Sequence, residues 1–144
     1  MNLKYYNYHI IFSYLGLAPF IIAILDFHFF NIFYSNIIKD FIIYYNLLIF
    51  TFIGAMRWNF KNNQDFVEVL FGFIPSLFST LILILNLIKF YQSFIILFIC
   101  ILLLIQLLID FSINKENNKK FFFYKIRVPL TLVIIILNFY IIFI

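Results

Sequence analysis

Charge is what this sequence has least of: Asp, Glu, Lys and Arg make up 11% of its 144 residues, against 66% that are hydrophobic. A soluble domain of this size must show water far more polar surface. The scarcity therefore excludes an ordinary globular fold in water, and the mean hydropathy of +1.09 points to lipid as the solvent. Cysteine occurs once, as Cys100 inside an apolar run, which excludes an intrachain disulfide and a thiolate metal cluster. Histidine occurs twice, and His9 and His28 stand nineteen residues apart. At helical rise that is ~28 Å, too far to share a metal, so both are read as interfacial residues and no metal or haem site is assigned. HExxH, GxGxxG, GxSxG and Walker A patterns are all missing. Hydrolase and nucleotide chemistry have no motif to stand on, and no catalytic residue or cofactor is assigned.

Long apolar runs are what the chain has in abundance. They predict an all-α, polytopic membrane protein, a bundle of five transmembrane helices forming one domain over residues 1–144, with spans near 10–25, 41–57, 66–88, 90–110 and 127–144. The first could pass for the apolar core of a signal peptide, but Asp26-Phe-His-Phe-Phe follows it in place of a small-x-small cleavage site, so it is read as an uncleaved span. Pro19 should kink that span, and Pro75 the third, as bilayers tolerate when neighbours satisfy the freed carbonyl. Pro129 falls in the first turn of the fifth, where its missing N–H is harmless. Residues 26–39 read as a loop that ends on Asp40 as helix N-cap, and Lys89 marks a tight turn between the third and fourth spans.

The second span ends at the hydrocarbon border in Phe-Ile-Gly54-Ala-Met-Arg57-Trp58, which holds the single tryptophan. Trp58 reads as an interfacial anchor and Arg57 as a cation favoured at a helix C-terminus. Counting bases by side sets the orientation. Lys4, Arg57, Lys61, Lys115, Lys119, Lys120, Lys125 and Arg127 share one face, and Lys39 and Lys89 the other. Eight against two places the N-terminus on the cytoplasmic side of an inner membrane and the C-terminus outside. The same asymmetry accounts for the net charge of +4 without nucleic acid as a partner.

At 100° per residue, four helices each carry one polar or small stripe. Asn46, Phe50, Ile53 and Arg57 align on the second with Gly54 beside them; Glu68, Gly72, Pro75, Ser79 and Asn86 align on the third. Gln92, Ile99, Gln106 and Asp110 align on the fourth, and Arg127, Thr131 and Asn138 on the fifth. Polar groups facing lipid are expensive and small residues let helices approach, so the stripes should face inward. That would gather Arg57, Glu68, Asp110 and Arg127 into a neutral cluster at one membrane face, with Arg127 in most need of a partner because the helix macrodipole opposes a cation at an N-terminus. The alternative is that all four snorkel to the interface. Gly16, Pro19, Gly54, Pro75, Ser76 and Thr131 are the expected helix-contact or kink positions.

Taken in order, Leu15-Gly16, Pro19-Phe20, Phe52-Ile-Gly54, Arg57-Trp58, Ile74-Pro75-Ser76-Leu77, Asp110 and Arg127-Val-Pro-Leu130-Thr131-Leu resemble a small bacterial and mitochondrial inner-membrane family of unknown function that includes transmembrane protein 69. The resemblance covers nearly the whole chain. It departs where the family places Trp-Ser before the third-helix Pro-Ser and a Gly after the second-helix Trp, since this chain has Phe71-Gly72 and Asn59 there. The resemblance implies a compact multi-span bundle in an inner membrane and brings no reaction.

The functional expectation is a non-catalytic accessory, assembly or interaction component of a membrane complex, partnered by the lipid bilayer and by other membrane proteins or further copies of itself. The alternative is a transporter or channel subunit whose Arg and carboxylate cluster gates a path. A membrane enzyme acting on lipid or quinone ranks last.

Overall fold

The fold is known from a computed structural model that describes residues 10–56, 66–113 and 123–143. These residues form helices and short turns, with no strand among them. Five helical stretches are long and apolar enough to cross a membrane: Ile10–Phe30, Ser35–Ala55, Val69–Leu87, Gln92–Ser112 and Tyr124–Ile142. The chain is thus an all-α membrane bundle. In chain order the helices are α1 (Ala18–Leu25, prolonged by one π-helical turn over Asp26–Phe30), α2 (Ser35–Ala55), α3 (Phe66–Leu87), α4 (Gln92–Ile113) and α5 (Val128–Ile142, entered through a π-helical turn over Phe123–Arg127).

Helix α2 is the axis of the bundle. It packs most broadly on α3 and also touches α1, α4 and α5. Its inward face, Ile42, Ile43, Asn46, Leu47, Phe50 and Ile53, is buried. The opposite face, with Leu48 and Phe52, is exposed. In a bilayer such outward apolar side chains meet lipid, so exposure here has a different meaning from exposure to water.

The first span departs from the expected shape at both ends. Residues 10–15 are helical, a turn follows at Gly16 and Leu17, and Pro19 lies in the first turn of α1. The expected kink is therefore a break placed just before the proline. Phe20 N–H donates to Leu17 O, which leaves the Gly16 carbonyl to accept from Tyr45 Oη at 2.7 Å. A neighbouring helix thereby satisfies the group that the break frees.

The expected loop over residues 26–39 is mostly helix. Only residues 31–34 connect α1 to α2, whose N-cap position is Tyr34. Asp40 is accordingly inside α2 and caps nothing. The tight connection is made by Asn31, left-handed at φ 49°, and by buried Asp26, whose carboxylate accepts Ile32 N–H at 3.3 Å and Phe33 N–H at 3.1 Å. Asn is one of the few side chains that tolerates this backbone region.

The turn at Lys89 is as expected. Lys89 takes φ 58°, its N–H donates to Asn86 O at 3.0 Å, and Phe90 N–H donates to Leu85 O at 3.1 Å. This is a Schellman ending with lysine where glycine is usual.

Candidate functional site

Among the described residues, three groups of interior polar side chains along the bundle each join helices that are distant in sequence. At the end where α2 finishes and α5 begins, Arg127 meets Asp110 of α4. Its Nε donates to Asp110 Oδ2 at 3.0 Å and Nη2 lies 3.0 Å from the same oxygen. Both side chains are nearly covered, at 14% and 13% exposure. Two charges this close, away from water, hold each other in place, and removing either leaves the other uncompensated. One turn further along α5, buried Thr131 returns its hydroxyl to Arg127 O at 2.8 Å, so it packs between helices without bonding across them.

The middle group is an amide pair. Asn46 Nδ2 donates to Asn138 Oδ1 at 2.7 Å, and Asn138 Nδ2 donates back to Asn46 Oδ1 at 3.1 Å. Both residues are wholly buried, so α2 and α5 are joined by a reciprocal bond with no water to compete for it. The Cys100 thiol of α4 is within hydrogen-bonding reach of Asn138.

At the other end Asp40 is the hub. Its Oδ1 accepts from Asn86 Nδ2 at 2.9 Å and from Gln92 Nε2 at 2.7 Å. Asn86 also donates to Tyr44 Oη at 3.2 Å, and Gln92 to Asn36 O at 3.1 Å. One carboxylate of α2 thus gathers the end of α3 and the start of α4. Lys39 Nζ donates to Ile142 O at 3.4 Å, and His28 Nε2 is hydrogen-bonded to Tyr140 Oη, which fasten α1 and α2 to the end of α5.

Of the four charged residues expected to cluster, the structure brings Asp110 and Arg127 together. Arg57, Trp58 and the Glu68 side chain lie outside the described residues, as do Lys4, Lys61, Lys115, Lys119, Lys120 and His9. The inward stripes are observed where they are described: Asn46, Ser79, Asn86, Gln106, Thr131 and Asn138 are buried. Gly54 stands at a close approach of α2 and α3, where an added Cβ would meet Gly72 O at 2.7 Å and Pro75 Cγ at 2.8 Å. Pro75 therefore supplies a packing ridge besides interrupting the α3 hydrogen bonds. Ser76, half-buried, turns its hydroxyl back to Phe73 O at 2.7 Å.

Sequence reasoning missed the Asp40 hub and the Asp26 clasp, because Asp26 reads as a loop residue and Asp40 as a helix N-cap. The signal was present in the stripes. Asn86 and Gln92 lie at the same end of neighbouring helices and require an acceptor there.

Among the described residues, two cavities that open toward the outside of the bundle stand out. One, of about 630 Å³, lies between residues 12–16, α2 and α5, and Arg127 and Thr131 are in its wall. The other, of about 500 Å³, lies between α1 and α2 at the opposite end and is almost wholly apolar, walled by Ile22, Ile37 and Phe41.

The profile of a family described as Protein of unknown function (DUF3429) matches residues 7–143. No curated protein and no solved structure matches the chain.

Proposed function

The chain belongs to the DUF3429 family of unknown function, and from that premise we propose that it is a non-catalytic accessory or assembly component of an inner-membrane complex. The observation that supports this reading is where the interior polar groups point. Asp110 is bonded to Arg127, Asn46 to Asn138, and Asp40 to Asn86 and Gln92. Each bond ties two helices, and together they knit α2, α3, α4 and α5 into one unit. Side chains engaged in this way hold a bundle together and leave its broad apolar exterior as the surface that meets lipid and other membrane proteins.

The resemblance to the family that includes transmembrane protein 69 fits the same reading, and its inner-membrane setting is part of the proposal. So is the orientation, N-terminus in the cytoplasm or matrix and C-terminus outside, which rests on the eight-to-two division of Lys and Arg. The transporter alternative needs a path along the inward stripe of α5. Such a path runs into the Asn46 and Asn138 pair, both fully covered and each occupying the other's donor and acceptor.

Extraction in a mild detergent followed by native gel electrophoresis tests the proposal. The chain should migrate with an assembly much larger than itself. Migration only as a free monomer or homodimer would overturn it.

A further inference from the structure

We infer that residues 10–15 form a lid over the cavity that they share with α2 and α5, hinged at Gly16 and Leu17 and able to close by carrying the Phe12 ring inward. The first span is two helical pieces, residues 10–15 and α1, joined by a turn at those two residues. Pro19 has no N–H to give to Leu15, and Phe20 N–H donates to Leu17 O at 3.1 Å instead of to Gly16 O. Two successive rungs of the helical ladder are missing, while Leu17 N–H makes a tight turn on Tyr14 O at 3.0 Å. A few residues at the junction of two elements, freed from the ladder in this way, are where a hinge takes up a change of backbone angle.

Packing shows which wall of the cavity is free to move. The cavity measures about 630 Å³, and Phe12 and Ser13 line it opposite α2 and α5. Phe12 is also 70% exposed, so its ring stands at the open rim. Helices α2 and α5 are locked to each other by the buried Asn46 and Asn138 pair. Residues 10–15 have no comparable hold, since Ile11 and Leu15 point outward with Phe12. Close packing favours filling such a space, and the wall that yields is the short one. A swing about the hinge puts an aromatic side chain into the cavity and shuts it off from the surrounding lipid.

Tyr45 sets the resting position. Its Oη donates to Gly16 O at 2.7 Å, at the hinge itself, and its ring meets Phe20 edge-on at 5.4 Å on the α1 side. The hinge is thereby anchored to α1, and the piece left to move is residues 10–15. Tyr14 Oη also donates to Lys125 O, at the longer distance of 3.4 Å. Hydroxyl bonds to carbonyls are broken and remade without stranding a charge. The inference is independent of the accessory role, since a lid can work whatever the bundle assembles with.

The test is pulsed electron–electron double resonance on the full chain in lipid nanodiscs, with nitroxide labels in a Cys100→Ala background. Labels on Ile11→Cys and Leu132→Cys, both exposed positions, measure the lid against α5, and labels on Ile21→Cys and Leu132→Cys measure α1 beyond the hinge. The lid pair should give two distances and the control pair one. Tyr45→Phe should raise the ratio of the shorter to the longer lid distance about fivefold, the equivalent of one neutral hydrogen bond, and leave the control pair unchanged. Ala55 lines the cavity from an exposed position on α2. Ala55→Phe should therefore fill the space and abolish the shorter distance, with an unchanged helical circular dichroism spectrum. A single lid distance as narrow as the control, an unchanged ratio in folded Tyr45→Phe, or persistence of the shorter distance in folded Ala55→Phe would each overturn the inference.

Discussion

At the scale of the residue, the strongest statements concern atoms with no alternative partner. The Asn46 and Asn138 amides bond each other in a fully buried setting. Replacing one of them by leucine leaves the other amide unsatisfied, which should lower stability by ~1–2 kcal/mol, the range seen for interhelical hydrogen bonds in membranes plus the desolvation of the orphaned group. Replacing both removes the orphan, so Asn46→Leu/Asn138→Leu should lose less than the sum of the two single variants. Reversible unfolding of the four proteins in mixed micelles measures this, and strict additivity would show that the pair is not coupled. Gly54 makes a sharper prediction. A methyl group there meets backbone, Gly72 O at 2.7 Å, which cannot move aside as a flexible side chain can. Gly54→Ala should therefore force α2 and α3 apart and destabilise by ~1–3 kcal/mol, although alanine is the better helix former. Gly16→Ala should cost less in the same unfolding assay, because its new Cβ meets its nearest atom, Ser13 O, at 3.1 Å.

At the scale of the element, the turns carry the unusual backbone. Lys89 occupies the left-handed position of a Schellman ending, where an L side chain is strained by ~1–2 kcal/mol and glycine is not. Lys89→Gly should raise stability by ~1 kcal/mol in micelle unfolding, and a lower value would mean that the lysine side chain makes a compensating contact. The helices themselves were legible in the sequence because lipid demands long apolar runs, and their inward faces because a polar stripe at helical period has only one place to go. Asn46 and Asn138, each deep in such a stripe, were visible as inward residues, though nothing in one sequence says that they meet. The ends of the first connection were not legible. Asp26 and Asp40 have the composition of loop residues, yet one closes a π-helical turn by accepting two backbone N–H groups and the other is bonded sideways by Asn86 and Gln92. A carboxylate inside a helix near the membrane surface is acceptable when neighbours donate to it, and for Asp40 the donors come from helices that begin or end some fifty residues away. That is tertiary information, beyond the reach of local pattern.

At the scale of the whole molecule, the bundle is asymmetric in charge and symmetric in construction. Each end is closed by a carboxylate that joins helices, Asp110 at one and Asp40 at the other, and the described bases Lys125 and Arg127 lie at the Asp110 end. The proposed orientation rests on the eight-to-two division of Lys and Arg in the sequence. A reporter active only outside the cytoplasm should be silent when fused to the N-terminus and active when fused to the C-terminus, and the reverse pattern would invert the assignment. The central claim is that the interior polar groups hold the bundle together while partners are met by its exterior, and the Asp110 and Arg127 pair is where the claim is most exposed to test. Removing one charge, as in Asp110→Leu or Arg127→Leu, should destabilise by ~3 kcal/mol, whereas replacing both by leucine removes the uncompensated charge and should restore stability to within about 1 kcal/mol of the parent. The deciding measurement is native-gel migration of that double variant after mild extraction. The account predicts a stable chain that still migrates with its large assembly; a chain that is equally stable but no longer joins the assembly would contradict it, because the pair would then act in function and not only in the fold.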